Sequence, residues 1–230
     1  MNYYPIFLRV AGRPCVVIGG GIVAEEKIDS LLKAGARVTV ISPQLTSRLS
    51  VLAATNQIAH TQRLYARGDL TGFFLACAAT DDDSVHAQIA ADAATAGVLL
   101  NVADRPPLCD FIMPSVMERG DLVIATSTGG ASPAMAKRIQ RELATIFGPE
   151  YALALVLLRR VRECLAGSAL TSTERQRVFK ALVDSPLLDY LLQGRARDVD
   201  ELLALTVGDD VSLASLGIDL TDTPGLVRVD

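Results

Sequence analysis

The sequence predicts an α/β fold: a parallel sheet flanked by helices over the first half of the chain, then a mainly helical region. Three observations carry this expectation. Short apolar, β-branched runs alternate with segments of helical periodicity up to about Val102, as in a sheet whose strands are buried on both faces. The first run ends in Gly19-Gly20-Gly21, which opens the first helical segment. After Asp104 the alternation breaks down, and from Ala134 to about Gln193 the apolar residues recur at helical spacing alone.

The elements follow in order. Cys15-Val-Val-Ile18 reads as the first strand. Val23, Ala24, Ile28, Leu31 and Leu32 mark the apolar face of a helix that Gly35 stops. Arg37–Ile41 is β-branched and ends at Ser42-Pro43, giving a second strand. Gln57–Leu64 and Phe73–Ala79 supply the third and fourth. Polar Thr80-Asp-Asp-Asp83 then caps a helix running through Val85, Ile89, Ala90 and Ala93, and Gly97–Val102 is the fifth strand. Asp121–Thr126 is one more strand. Ser132 is an N-cap with Pro133 at the first helical position, and helical segments follow through Ile146, from Leu153 to Leu165 and from Val178 to Leu192. The last 25 or so residues are acidic and rich in Gly and Asp, and no structure is expected of them.

Composition removes several classes of function. At 50% hydrophobic and 21% charged residues the chain can bury a core and is not disordered. Its four cysteines are scattered, with no C-x-x-C, and there are only two histidines, His60 and His86, without ligand spacing. No metal site is expected, and the cysteine usage fits a reducing cytoplasm. Asp81-Asp82-Asp83 resembles a metal cluster, but three consecutive side chains cannot all face one ion from a regular element, so capping is the better reading. No apolar run approaches the roughly 18 residues of a membrane span, and the N-terminus lacks the features of a secretory signal; no membrane association and a cytoplasmic location are expected. Net charge is −1 over residues 1–104, +3 over 105–162 and −6 over 163–230. That distribution disfavours nucleic-acid binding and leaves room for a local site for a small anion.

Gly19-x-Gly21-x-x-Ala24 directly follows a strand and opens a helix, which is the context that gives the pattern meaning. It identifies a Rossmann-type dinucleotide site. Gly19 permits the tight turn, Gly21 lets backbone approach a pyrophosphate, and the helix start at Ile22-Val23 offers free N–H groups and a positive dipole end. The end of the second strand, Val40-Ile41-Ser42-Pro43-Gln44, lacks the usual acid for the ribose hydroxyls, so Ser42 or the backbone near Pro43-Gln44 takes that place. No clustered arginine there invites a 2′-phosphate, which favours NAD over NADP. Thr80 is placed to line the same cleft.

Further stretches are more specific than the glycines: Pro5-Ile-Phe7, Val17–Gly21, Val23-Ala-Glu25, Ala79–Asp83, Asn101-Val102, Asp104, Phe111-Ile-Met-Pro-Ser115 and Ser127-x-Gly-Gly-x-Ser-Pro133. With these the chain resembles the precorrin-2 dehydrogenase/sirohydrochlorin ferrochelatase family, the N-terminal module of siroheme synthase, over about its first 150 residues. The resemblance implies NAD-dependent oxidation of precorrin-2 to sirohydrochlorin, with ferrous iron inserted at the same site in some members. It also implies a homodimer whose segments after Pro114 interlock. The corresponding organisation is an NAD-binding domain over residues 1–113, a dimerisation segment over 114–147 and a helical domain with an acidic tail over 148–230. Because the chain stops at Asp230, a stand-alone form without the methyltransferase half is expected.

By position, Ile22, Val23, Pro43 and Gln44 fall where the family contacts NAD, and Asp104 falls on the family's key acid. Thr128 stands where some relatives carry a serine near the tetrapyrrole. Read from the residues alone, Asp104 is either a carboxylate that takes protons from the reduced macrocycle or a cap for the turn before Pro106-Pro107; the resemblance favours the first. The substrate's carboxylates need donors: Arg105, Arg119, Lys137, Arg138 and Arg141 lie in the only net-basic region, with the Ser127-Thr128-Gly129 loop ahead of the Ser132-Pro133 helix start. Lys137, Arg138 and Arg141 also read as a solvated helix face. A second class of function also fits a dinucleotide fold: a non-catalytic module that senses NAD or NADH and acts on a partner protein.

Overall fold

The computed structural model describes residues 3–80 and 82–220. The chain divides into two compact units at Met113–Pro114.

In the first unit, β1 (Pro14–Ile18), α1 (Ile22–Lys33), β2 (Arg37–Ile41), α2 (Ser47–Ala54), β3 (Ala59–Thr61), β4 (Leu75–Ala78), α3 (Asp83–Ala96) and β5 (Leu99–Val102) alternate along the chain. The five strands form one sheet in the order β3-β2-β1-β4-β5, every pair parallel. The register sets Ile18 beside both Ile41 and Ala78, and Ala78 beside Val102, so the carboxyl ends of four strands finish level. Alternation along β1 explains burial on both faces. Cys15 and Val17 join a core with Ala24, Ile28, Val40 and Leu49, whereas Val16 and Ile18 join a second with Leu70, Ala76, Ile89 and Leu100. Each fully buried Val, Leu or Ile among them contributes about 1.5–3 kcal/mol.

Local signals account for the helix ends. Gly35 takes φ +77° just past α1, as its stop requires. Asp82 caps α3, its carboxylate accepting from the amides of Ser84 and Val85, while Asp81 lies outside the described residues. The third and fourth strands are shorter than their apolar runs, and α2 appears where no helix was expected, capped by Thr46.

The second unit opens with an antiparallel hairpin, β6 (Ser115–Arg119) and β7 (Leu122–Thr126), turned by Gly120 at φ +56°. Only the second of these strands was expected. Then come α4 (Pro133–Ile146), α5 (Glu150–Ala166), α6 (Ser172–Val183), α7 (Leu187–Leu192) and α8 (Ala196–Thr206). Ser132 caps α4 through the Met135 amide, with Pro133 at its first position, as the sequence indicates. Leu153, Leu157, Val161 and Leu165 repeat every fourth residue on α5 and pack against Leu182, Leu191, Val199 and Leu203.

Two expectations are corrected here. The apolar periodicity from Val178 to Leu192 is two helices, because Pro186 cannot donate within a helix and interrupts it after Val183. The helical region also extends past Gln193 as α8, and within the terminal stretch expected to be unstructured Val211, Leu213 and Leu216 are buried in the helical core. The Leu213 amide donates to the Asp200 carboxylate at 2.6 Å, so an acidic residue serves the packing. The rest of the acidic tail, 221–230, lies outside the described residues.

Candidate functional site

The sheet order makes β1 the point of reversal: β2 lies on one side of it and β4 on the other. In open parallel sheets the crevice beyond the carboxyl ends at such a point is where ligands bind. The loops that meet there are Gly19–Gly21 after β1, Ser42–Thr46 after β2, Ala79-Thr80 after β4 and Ala103–Arg105 after β5.

The three glycines have three different reasons to be glycine. Gly19 sits at φ +118°, and a Cβ there would lie 2.2 Å from the Ala79 carbonyl oxygen. On Gly20 a Cβ would lie 2.1 Å from the Gln44 carbonyl oxygen and 2.8 Å from the Ser42 hydroxyl. Gly21 faces open space, with nothing within 4 Å of an added Cβ. The first two let neighbouring loops close on β1, and the third leaves a vacant approach. That approach leads to the start of α1, where no side chain caps the helix. By contrast α2, α3, α4 and α6 are each capped by a side chain. Ile22 and Val23 are 74% and 47% exposed, so Val23 stands at the mouth of the crevice and not in the core that its spacing suggested. A free helix start beside a glycine that admits close contact is the arrangement that holds a diphosphate; the residues fit a dinucleotide.

Beyond β2, Ser42 is buried and its hydroxyl donates to the Gln44 carbonyl at 2.7 Å. The proton the sequence offered to a ribose is therefore spent inside the loop. Pro43 and Gln44 are exposed and border a cavity of about 430 Å³ with Leu45, Ser50, Ala53, His60 and Gln62. A ring nitrogen of His60, Nε2, lies 2.9 Å from the Ser42 carbonyl, bracing that wall.

On the other flank, the carbonyl of Thr80 is held by His86 Nε2 at 2.7 Å. His86 is buried, and its Nδ1 stands 3.6 Å from the Asp83 carboxylate with no hydrogen bond of its own. Asp83 in turn accepts two bonds from Arg105, at 2.5 and 2.7 Å. The ion pair ties the start of α3 to the loop after β5.

Asp104 follows β5 at φ +56°, a left-handed conformation that Asp tolerates better than most residues, and its side chain is exposed. The amide of Ala103 bonds to Ala78, so Asp104 shares the sheet edge with the glycine loop, with one strand between. Cys109 braces the same loop, its sulfur accepting from the Val102 amide at 3.2 Å. Thus Gly19, Gly21, Ile22, Val23, Ser42, Pro43, Gln44, Thr80, Asp104 and Arg105 all lie along one edge of the first unit.

The remaining candidates lie in the second unit, in the loop between β7 and α4 and on α4 itself. The Thr128 hydroxyl donates to the Ser132 carbonyl and accepts from the Ser132 amide, at 3.1 and 3.0 Å. The Ser127 hydroxyl accepts from Gly129 N. These bonds shape a turn through Gly129 and Gly130, both at positive φ, leading into α4. Lys137 is exposed on α4. Among the described residues no three His, Cys, Asp or Glu side chains gather as a metal site, and no helix is long and apolar enough to cross a membrane.

The sequence alone assigns no role to Gly20, Glu25 or Thr46. Gly20 passed as the middle of a glycine run, and the pairing of Glu25 with Thr46 spans 21 residues without a local signal.

This fold and crevice define a dinucleotide-binding α/β protein. Residues 6–115 match the family model described as "Putative NAD(P)-binding". The chain is 38% identical over 207 residues to siroheme synthase of Methylococcus capsulatus and 34% identical over 204 residues to that of Nitrosococcus oceani; each match covers 88% of this chain and 43% of the relative. The chain therefore spans less than half the length of these relatives. Among solved structures, one described as "SirC, precorrin-2 dehydrogenase" shares the fold, with a TM-score of 0.75 at 24% identity, covering 89% of this chain and 98% of that one.

These likenesses support the resemblance to the precorrin-2 dehydrogenase/sirohydrochlorin ferrochelatase family read from the sequence. The matched family model and the crevice together fit a nicotinamide dinucleotide of the NAD(P) type.

Proposed function

We propose that the chain is an NAD-dependent oxidoreductase that converts precorrin-2 to sirohydrochlorin. The observation that carries this reading is the exposed Asp104 carboxylate on the same sheet edge as an uncapped helix start. Bound NAD supplies a hydride acceptor. Dehydrogenation of the reduced macrocycle gives up one hydride and one proton, so the products are sirohydrochlorin, NADH and H⁺.

The residues divide the work. Gly19, Gly21, Ile22 and Val23 hold the diphosphate on the α1 start, and Pro43, Gln44 and the Ser42 backbone flank the adenosine half. Thr80, fixed through its carbonyl by His86, lines the nicotinamide side. Asp104 accepts the proton released as the hydride departs. Arg105, next to Asp104, binds a carboxylate of the tetrapyrrole.

Ferrous iron insertion into sirohydrochlorin is the second step of this reading. It draws on the family resemblance and on Asp104 as acceptor for the pyrrole N–H protons; iron enters as a substrate, held by the macrocycle nitrogens. A homodimer through residues 114–147 is supported by apolar side chains left exposed there: Val116, Val123, Met135 and Ile146.

Mixing the protein with NAD and precorrin-2 tests the proposal. NADH and sirohydrochlorin should form in equal amounts. Tight NAD binding without turnover of any tetrapyrrole would instead support the sensing module. Sirohydrochlorin supplied with ferrous iron and no NAD should yield siroheme if the second step belongs to this chain.

A further inference from the structure

The motif Val23-Ala-Glu25 contains a carboxylate that the proposed reaction does not use. Glu25 lies in the first turn of α1, directly after the open helix start, and is half-buried. It accepts a hydrogen bond from the hydroxyl of Thr46. Thr46 is itself fully committed: its amide donates to the Gly20 carbonyl at 3.0 Å, and its hydroxyl oxygen accepts from Leu49 N at 3.2 Å, capping α2.

The loop from Ser42 to Thr46 is thereby fastened at both ends to the glycine turn. At the near end Gly19 N donates to Ile41 O at 3.0 Å, and Gly20 lies too close to Gln44 for any side chain. At the far end Thr46 joins Gly20 through backbone and α1 through Glu25. A second, exposed link, Arg48 to Asp29 at 2.8 Å, joins the same two helices further out. The loop that flanks adenosine and the turn that receives diphosphate consequently move as one body, and a ligand bridging both meets a preformed site.

We infer that Glu25 and Thr46 are a positioning pair that sets NAD affinity by locking the Ser42–Thr46 loop onto the glycine turn. Neither residue touches the reacting atoms. The inference rests on the reading of Gly19–Val23 and Pro43-Gln44 as the NAD site. Losing the pair unfastens the adenosine side, so binding weakens while the chemistry, once NAD is bound, proceeds at its former rate.

NAD titration of Thr46→Val, Glu25→Ala, the double variant and Thr46→Ser, each with kcat at saturating NAD, tests this. Thr46→Val and Glu25→Ala should each raise the Kd for NAD about tenfold, the loss expected for a hydrogen bond to a charged group. The double variant should be no worse than either single one, since both remove the same bond. Thr46→Ser, which keeps the hydroxyl, should bind within about twofold of the parent, and kcat at saturating NAD should stay within about twofold throughout. Glu25→Ala leaves the α2 cap intact, so a loss shared by both single variants separates positioning from helix capping. Parental affinity in Glu25→Ala, or a loss in Thr46→Val that serine does not restore, overturns the inference. A parent protein whose NAD binding survives Gly21→Asp unchanged would instead overturn the site reading beneath it.

Discussion

Gly20 and the carbonyl of Gln44 are in such close contact that a single added methyl would sit 2.1 Å from the oxygen. At neighbouring Gly21 an added Cβ would have nothing within 4 Å. The two glycines should therefore fail in different ways. Gly20→Ala must push the loop after β2 away, and should lower stability by about 1–3 kcal/mol, read in denaturant melts without NAD. Gly21→Asp should leave that melt nearly unchanged while abolishing NAD binding, because it sets bulk and negative charge where the diphosphate docks.

Arg105, in the loop after β5, and Asp83, at the start of α3, form a two-point ion pair with side chains 50% and 70% exposed. Exposed pairs contribute at most about 1 kcal/mol. Arg105→Ala should accordingly cost little stability, yet raise the KM for the tetrapyrrole several-fold, with NAD affinity retained. Asp83→Asn frees the guanidinium without removing it and should leave that KM near the parent value. Steady-state titrations of both substrates on the two variants distinguish a substrate arginine from a mere tether.

Much of this site was legible in the sequence because its signals are local. Val16, Val17 and Ile18 could only be a buried strand, and the glycines that follow could only be a turn into the α1 segment. What stayed hidden depends on pairs distant along the chain. Ser42 looked free for a ribose, but its hydroxyl is claimed by Gln44 once the loop folds back. The strand Ser115–Arg119 buries only Met117 fully, too weak an alternation to read without its partner. Val211, Leu213 and Leu216 were masked by the acidic residues around them, though α8 offers them a core.

The Asp69 carboxyl is held below the ordinary carboxylate range, first by the hydrogen bond from Arg63 and then by the Ala66 amide and the Arg63 charge, against a smaller opposing effect of burial. A folded-state value lower than the unfolded one adds stability above the unfolded pKa of about 3.9, and that stability disappears as pH falls through the folded value. Denaturant melts at neutral pH and near pH 3 should show a larger acid loss for the parent than for Asp69→Asn.

Burial pushes the Cys77 thiol up to about 12, and raises Cys15 as well, whereas Cys164 is exposed. At mildly alkaline pH iodoacetamide should label Cys164 rapidly and Cys77 only on unfolding, as followed by peptide mass. The sign for stability is the reverse of the Asp69 case. The unfolded chain releases these protons above about pH 8.5, so stability should fall as pH rises past that point.

The central claim is that Asp104 takes the proton of a hydride transfer at this sheet edge. Asn tolerates the left-handed backbone at position 104 as Asp does, so Asp104→Asn changes the chemistry with little strain. The decisive measurement is kcat for precorrin-2 oxidation by Asp104→Asn beside its Kd for NAD. A fall of about 10²–10⁴ in kcat, with NAD affinity within a few-fold of the parent, is the predicted result. A variant that still oxidises precorrin-2 at the parental rate would contradict it.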